Sequence, residues 1–442
     1  MKKQYILYLL LCLLLTNCGS SDDDNGGLSL STTAFESVSY KENTIELQIN
    51  TSQAWTATSW AVWCVPQQEG GTGNAVLKLH LESNVSGKSR TGKVTIWTKE
   101  VQYDVTITQE AIPEGEEFHY QLPVIFHVLY ENADDPKQYI DAAHLAKLIG
   151  EVNSCYKGNV LNNGGESGID MNLEFVLATK DENGNTLQTP GVEYIKVPTV
   201  NINCESMMSD KAYKKYLWDL NKYINVMLYH FTTEPGSNGI ILGISHLPLT
   251  VKGTNQLAGL GVVDKNYMTN ENLGYPMCVS LNSQYAYENS EDGYNGLDFK
   301  VTTAHELGHY LGLHHAFDED ENGELSSQCI DSDYCEDTPS YNRNVYMMEL
   351  AAKLKEAAES GKPADMADLV IRENCKLGQP FSSFNVMDYE ITYADRFTPD
   401  QRKRIRNVLT YSPLIPGPKI YPEGASTRAV AGELELPMII RQ

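Results

Sequence analysis

Residues 305 to 315 read His305-Glu306-Leu307-Gly308-His309-Tyr310-Leu311-Gly312-Leu313-His314-His315. Side chains four apart on a helix share a face, so the imidazoles of His305 and His309 can hold one metal ion from the same side. Glu306, next to the first ligand, falls where a carboxylate can take a proton from water at that ion. Gly312 suits the left-handed turn that ends a helix and swings the chain back, which brings in His315 as a third ligand. His314 is an alternative third ligand, but the spacing favours His315. A set of imidazoles suits Zn²⁺, and three protein ligands leave a fourth position open, the mark of a catalytic and not a structural site. The bland alternative is a solvated amphipathic helix, yet a chance match to every fixed position is expected in only about one chain in 10⁴ to 10⁵.

Local rules support a helix here. Thr302 or Thr303 can cap its start, and Ala304, Leu307, Gly308 and Leu311 offer small or apolar surface to a core. Downstream, Phe384-Asn385-Val386-Met387-Asp388-Tyr389 precedes Thr398-Pro399-Asp400-Gln401, a capping box with proline at the first helical position; it opens a helix through Arg406 to about Thr410.

Together with the long histidine motif, the Val386-Met387-Asp388-Tyr389 stretch resembles the Met-turn of the metzincin zinc proteases. HELGHYLGLHHAF, the later Asp337-Thr338-Pro339 and NVMDY narrow the likeness to the pappalysin-type (cytophagalysin) family, over roughly Phe118 to Pro413. The resemblance implies a metalloendopeptidase in which Zn²⁺ sits on His305, His309 and His315, with Glu306 as general base. It places Met387 beneath the metal as an apolar floor and leans Tyr389 towards it to steady the transition state. It also implies a disulfide from Cys329 to Cys375, and calcium near Asp333, the Glu336 carbonyl and Thr338. The segment from Asp318 to Asp337 carries nine acidic residues and no Lys or Arg, so it is expected to be solvated or bridged by a cation such as Ca²⁺.

The start of the chain indicates export. Lys2 and Lys3 precede an apolar run from Tyr5 to Leu15, too short for a membrane span, and Leu15-Thr16-Asn17-Cys18 resembles a bacterial lipoprotein signal acylated at Cys18. An ordinary cleaved signal is the alternative. Residues 19–27 are polar and acidic, a flexible tether similar to the export tag of Bacteroidetes surface lipoproteins. The expected location is therefore the outer membrane, held by lipid only and exposed at the cell surface. Of nine cysteines, Cys12 leaves with the signal and Cys18 is acylated, so seven remain and at least one is unpaired. Pairing among Cys64, Cys155, Cys204 and Cys278 stays open.

Composition sets outer bounds. Acidic side chains outnumber basic ones 58 to 34, for a net charge of −24, and no basic stripe interrupts them; this excludes nucleic acid as a partner. Residues 28–111 contain short alternating runs such as Thr44–Ile49, Val76–Leu81 and Gly92–Trp97, which predict an all-β immunoglobulin-like sandwich. Trp55, Trp63, Pro66, Gly71, Asn74, Asn84, Arg90, Gly92 and Thr108-Gln109 resemble a BACON domain. That resemblance suggests glycan contact through Trp55, Trp60, Trp63 or Trp97, against the alternative that these rings simply fill the core.

The expected multidomain chain thus runs from a signal (1–18) through a tether (19–27), the sandwich (28–111) and a linker (112–117) to an α+β metzincin domain (118–413) and a tail (414–442). The metzincin domain should have a mixed sheet above a cleft, a helix over Ile140–Ile149, and substrate extended along the sheet edge near Gly239 to His246. Substrates are expected to be extracellular proteins, including host glycoproteins. Two other readings are a glycan-binding adhesin with a vestigial protease domain, and a zinc hydrolase acting on a non-peptide amide.

Overall fold

A computed structural model describes residues 27–158, 168–232, 240–265, 267–291, 294–319, 325–421 and 439–441. The expected signal, Cys18 and nearly all of the tether lie outside the described residues. Among those described, no helix is long and apolar enough to cross a membrane.

The sandwich consists of β1 (Leu28–Leu30), β2 (Ala34–Val38), β3 (Asn43–Thr51), β4 (Ala54–Ser59), β5 (Cys64–Pro66), β6 (Gly70–Thr72), β7 (Ala75–Leu81), β8 (Arg90–Trp97) and β9 (Gln102–Gln109). One sheet has the order β1-β3-β7-β5 and the other β2-β9-β8-β4-β6. Period-two alternation decides which side chains point inward. Leu47, Ile49, Leu77, Leu79 and Leu81 face Val94, Ile96, Val105 and Ile107, all fully buried. Trp55 and Trp63 join this core, as the core-filling reading of these rings has it, and neither is placed to stack on a sugar. Trp60 alone of the tryptophans is well exposed; its indole N–H donates to Thr95 and the Lys93 ammonium lies over its ring.

The second unit follows in the order β10 (Tyr120–Tyr130), α1 (Ala142–Tyr156), β11 (Leu173–Leu177), β12 (Val192–Lys196), β13 (Asn201–Asn203), α2 (Cys204–Ser209), β14 (Ile224–Thr232) and β15 (Gly243–His246). After these come β16 (Leu249–Val251), β17 (Gly261–Val263), β18 (Val279–Asn282), α3 (Phe299–Tyr310), α4 (Arg343–Ser360), α5 (Met366–Leu369), β19 (Ile371–Asn374), β20 (Gln379–Ser382), α6 (Pro399–Tyr411) and β21 (Ile439–Arg441). Its main sheet has the order β11-β10-β14-β18-β15-β21, with β12 also on β10 and β13 on β14. β10, β11, β14 and β18 run parallel, and β15 turns antiparallel on the far side of β18. β10 and β14 are apolar almost throughout because helices and loops cover both their faces. α1 and α3 pack on each other, and α3 lies against β15 and β18.

Three expectations change. α3 begins at Phe299, three residues before Thr302, because Asp298 caps it by accepting the Lys300 and Val301 N–H groups; Thr302 and Thr303 are buried inside the helix. The core continues past 413 into the expected tail, since Leu414, Ile415 and Lys419 are buried, and Tyr421 reaches the sandwich core. The edge of β15 foreseen for substrate carries β21, a piece of that same tail. The capping box at Thr398, by contrast, opens α6 as its sequence indicates.

Candidate metal centre and active site

The helix end makes the site. Gly312 adopts φ 94°. Its N–H bonds the His309 carbonyl at 2.8 Å while the Leu313 N–H bonds the Gly308 carbonyl at 2.9 Å, the paired bonds of a Schellman turn. The chain therefore reverses just beyond α3, and His315 swings back over His305 and His309.

The three rings converge. His309 Nε2 lies 2.9 Å from His305 Nε2 and 3.1 Å from His315 Nε2. On the other side of each ring, Nδ1 faces an oxygen: Val386 O for His305 and Leu313 O for His309, both at 2.8 Å, and the Glu319 carboxylate for His315 at 2.9 Å. Those acceptors place the proton on every Nδ1, so three Nε2 lone pairs point at one another in a buried space. Neutral lone pairs at such distances repel unless a cation sits between them. Burial, joined by the neighbouring charges, holds His305 and His315 down to about 3 and His309 well below the ordinary range, so the rings stay neutral and able to ligate. Spacing and protonation both fit tetrahedral Zn²⁺. Among the described residues, this is the one cluster of three or more His, Cys, Asp or Glu side chains that could hold a metal.

Glu306 is fully buried, and neither carboxylate oxygen has a hydrogen-bond partner within the chain. Burial pushes its carboxyl well above the usual carboxylate range. Gly243 of β15 lies against it: a Cβ there would stand 2.5 Å from Glu306 Cγ. Met387 is buried beneath α3, its sulfur 2.5 Å from where a Cβ on Gly308 would be, so glycine is what lets the turn close on the helix. The Tyr389 ring centroid is 4.4 Å from that of His315 and 5.4 Å from that of His305, with the Arg343 guanidinium 4.6 Å over its face. A cavity of about 560 Å³ opens beside it, lined by Leu242, Asp298, Val301, Arg343 and Ile391 among others.

Beneath the Met387 turn lies an ionic cluster that the sequence did not disclose. Arg372 is fully buried, with its Nε 3.1 Å from Asp388 Oδ2 and its terminal nitrogens donating to the Val370 and Tyr389 carbonyls. Tyr341 and Ser383 both donate to Asp388. Burial, the largest single influence, pulls the guanidinium pKa down, but Asp388 together with Tyr341 and Tyr346 leaves it raised. Glu319 was equally unforeseen, because it meets His315 across an irregular loop with no periodic pattern.

The remaining expected site residues are placed as follows. His314 turns away from the other histidines, against Tyr334 and Gly259. Cys329 and Cys375 form a disulfide with Cα atoms 5.8 Å apart, whereas Cys64, Cys155, Cys204, Cys278 and Cys335 are buried thiols. Asp333 and Thr338 meet side by side, the threonine hydroxyl donating to the carboxylate, which also accepts the Cys335 N–H. Asp318, expected to be solvated or cation-bound, instead accepts the Cys329 and Ile330 N–H groups.

Residues 207–410 match the family model of peptidase M43, described as pregnancy-associated plasma protein-A, and residues 53–110 match BACON, a putative N-terminal binding domain. Extracellular metalloproteases of Arthroderma benhamiae and Trichophyton verrucosum are each 33% identical over 105 residues, 24% of this chain and 29% of theirs. The chain thus spans under a third of the length of those relatives. Among solved structures, a point mutant of Tannerella forsythia promirolysin aligns with a TM-score of 0.46 at 18% identity, over 67% of this chain and 82% of its own. Mature mirolysin with a cleaved peptide gives 0.45 at 19%, over 66% and 92%. Residues 207–410 are thus similar to the peptidase domain of the pregnancy-associated plasma protein-A (M43) family, and residues 53–110 to a BACON domain ahead of it.

Proposed function

We propose that this chain is a zinc-dependent endopeptidase acting on extracellular proteins. The observation that carries the reading is the convergence of three Nε2 lone pairs beside a buried Glu306 whose oxygens have no partner in the chain. His305, His309 and His315 would hold the zinc, which when bound polarises a scissile carbonyl and acidifies water. Glu306 takes a proton from the attacking water and returns it to the leaving amine. The carboxylate of Glu319 fixes the His315 ring, as the Val386 and Leu313 carbonyls fix the other two. Tyr389, braced by Arg343, stands ready to steady negative charge on the substrate carbonyl oxygen, and the cavity next to it can receive a substrate side chain.

Calcium on Asp333, the Glu336 carbonyl and Thr338 belongs to the same proposal, supported by the buried contact of Asp333 with Thr338. So does lipid anchoring at Cys18 with exposure at the cell surface. Host glycoproteins suit that setting as substrates, and exposed Trp60 is the side chain best placed for a glycan. Metal analysis tests the core of the reading. One zinc per chain is expected in the unaltered protein and in Glu306→Ala, with less than a tenth of that in His309→Ala; zinc held equally by all three would remove the site from consideration.

A further inference from the structure

The sheet edge beside Glu306 is taken by the far end of the chain itself. β21 runs antiparallel to β15, with Ile439 opposite His246, Ile440 opposite Ser245 and Arg441 opposite Ile244. It therefore heads towards Gly243, the residue pressed against the Glu306 side chain. The other side of β15 is bonded to β18, so an extended peptide adding to this sheet must use the same row of β15 amides and carbonyls.

We propose that β21 is a built-in competitive inhibitor that occupies the strand-addition site next to Glu306, so that a peptide substrate binds only when β21 leaves. This rests on the endopeptidase reading above. β21 suits the task because it pairs over three residues and is the outermost strand of the sheet, which puts it among the elements that open most easily. It is also tethered. Tyr421 packs against the sandwich core and 17 residues separate it from Ile439, so β21 faces β15 at an effective concentration on the order of millimolar. The competing role is a passive cover for a sheet edge that would otherwise aggregate. A cover on an edge that substrate does not use leaves KM unchanged when it is displaced.

The test compares the full chain with its Ile440→Pro/Arg441→Pro variant. Consecutive residues of an antiparallel strand turn their N–H groups alternately towards and away from the partner, so one of the two prolines must delete a ladder bond. For an internally quenched peptide that the chain cleaves, KM should fall about threefold to tenfold in the variant with kcat unchanged. Free peptide of sequence 431–442 should restore the higher KM in trans. The same peptide carrying fluorescein should bind the variant saturably by anisotropy and the unaltered chain weakly, and that readout needs no turnover. Equal KM values with no inhibition in trans overturn the inhibitor and leave the endopeptidase intact. No turnover by either protein, with labelled peptide bound only by the variant, keeps β21 as occupant of the edge and counts against the endopeptidase. Labelled peptide that fails to bind the variant overturns the proposal outright.

Discussion

At the scale of single residues, the site depends on contacts that hold ligands and base at fixed angles. Glu319 fixes the His315 tautomer, so Glu319→Ala should weaken zinc affinity by about 10- to 100-fold, read by competition with a metallochromic chelator. Unchanged affinity would mean that the loop contact does not orient the ring. Gly243 acts by having no side chain. A methyl there meets Glu306 at 2.5–2.6 Å, so Gly243→Ala should cost roughly 10²-fold in kcat/KM through a displaced base, with zinc content unchanged. The convergence of His305, His309 and His315 beside Glu306 and the turn at Gly312 were legible because a helix makes spacing meaningful. Glu319 and Gly243 were not, since each meets its partner through a loop or a strand whose approach no local pattern encodes.

At the scale of elements, the turn carrying Met387 and Tyr389 is held from below by Arg372 and Asp388. Both charges are buried, and deleting one strands the other: Arg372→Ala should destabilise the chain by about 3–5 kcal/mol in urea melts. A well-packed apolar replacement at both positions should cost much less, which separates the stranded charge from lost packing. The α6 capping box was fully readable, as was the alternation of β3 and β7, because four-residue caps and period-two burial are local signals. The start of α3 was misplaced, since aspartate and threonine both cap helices and only the fold shows that Asp298 does so here. Trp55 and Trp63 likewise give no sign in sequence of facing the sandwich core and not a ligand.

At the scale of the whole molecule, acid should loosen the central sheet. His246 is buried in β15, its Nε2–H donating to the Met208 carbonyl at 3.0 Å and its Nδ1 accepting the Cys278 N–H at 3.2 Å, so it folds neutral. Burial lowers it from 6.5 to about 4. Between those values the unfolded chain binds a proton that the folded chain does not, so stability is whole above pH 6.5 and falls as pH drops towards 4, by about 3 kcal/mol for this group. Urea titrations across that range with His246→Gln should show the smaller slope; equal slopes would show that His246 stays protonated in the fold. The division into a sandwich and an α+β domain was legible from composition and pattern. The return of the tail to β15 was not, because pairing between residues 195 positions apart, Ser245 with Ile440, leaves no trace in either segment alone.

The most direct measurement of the central claim is mass-spectrometric mapping of cuts in a diverse peptide library by the zinc-loaded chain, with Glu306→Ala beside it. Internal cuts by the unaltered chain alone, abolished by a zinc chelator and restored by added zinc, are the predicted result. Cuts that persist in Glu306→Ala, or a zinc-replete chain that leaves every peptide whole, would contradict it.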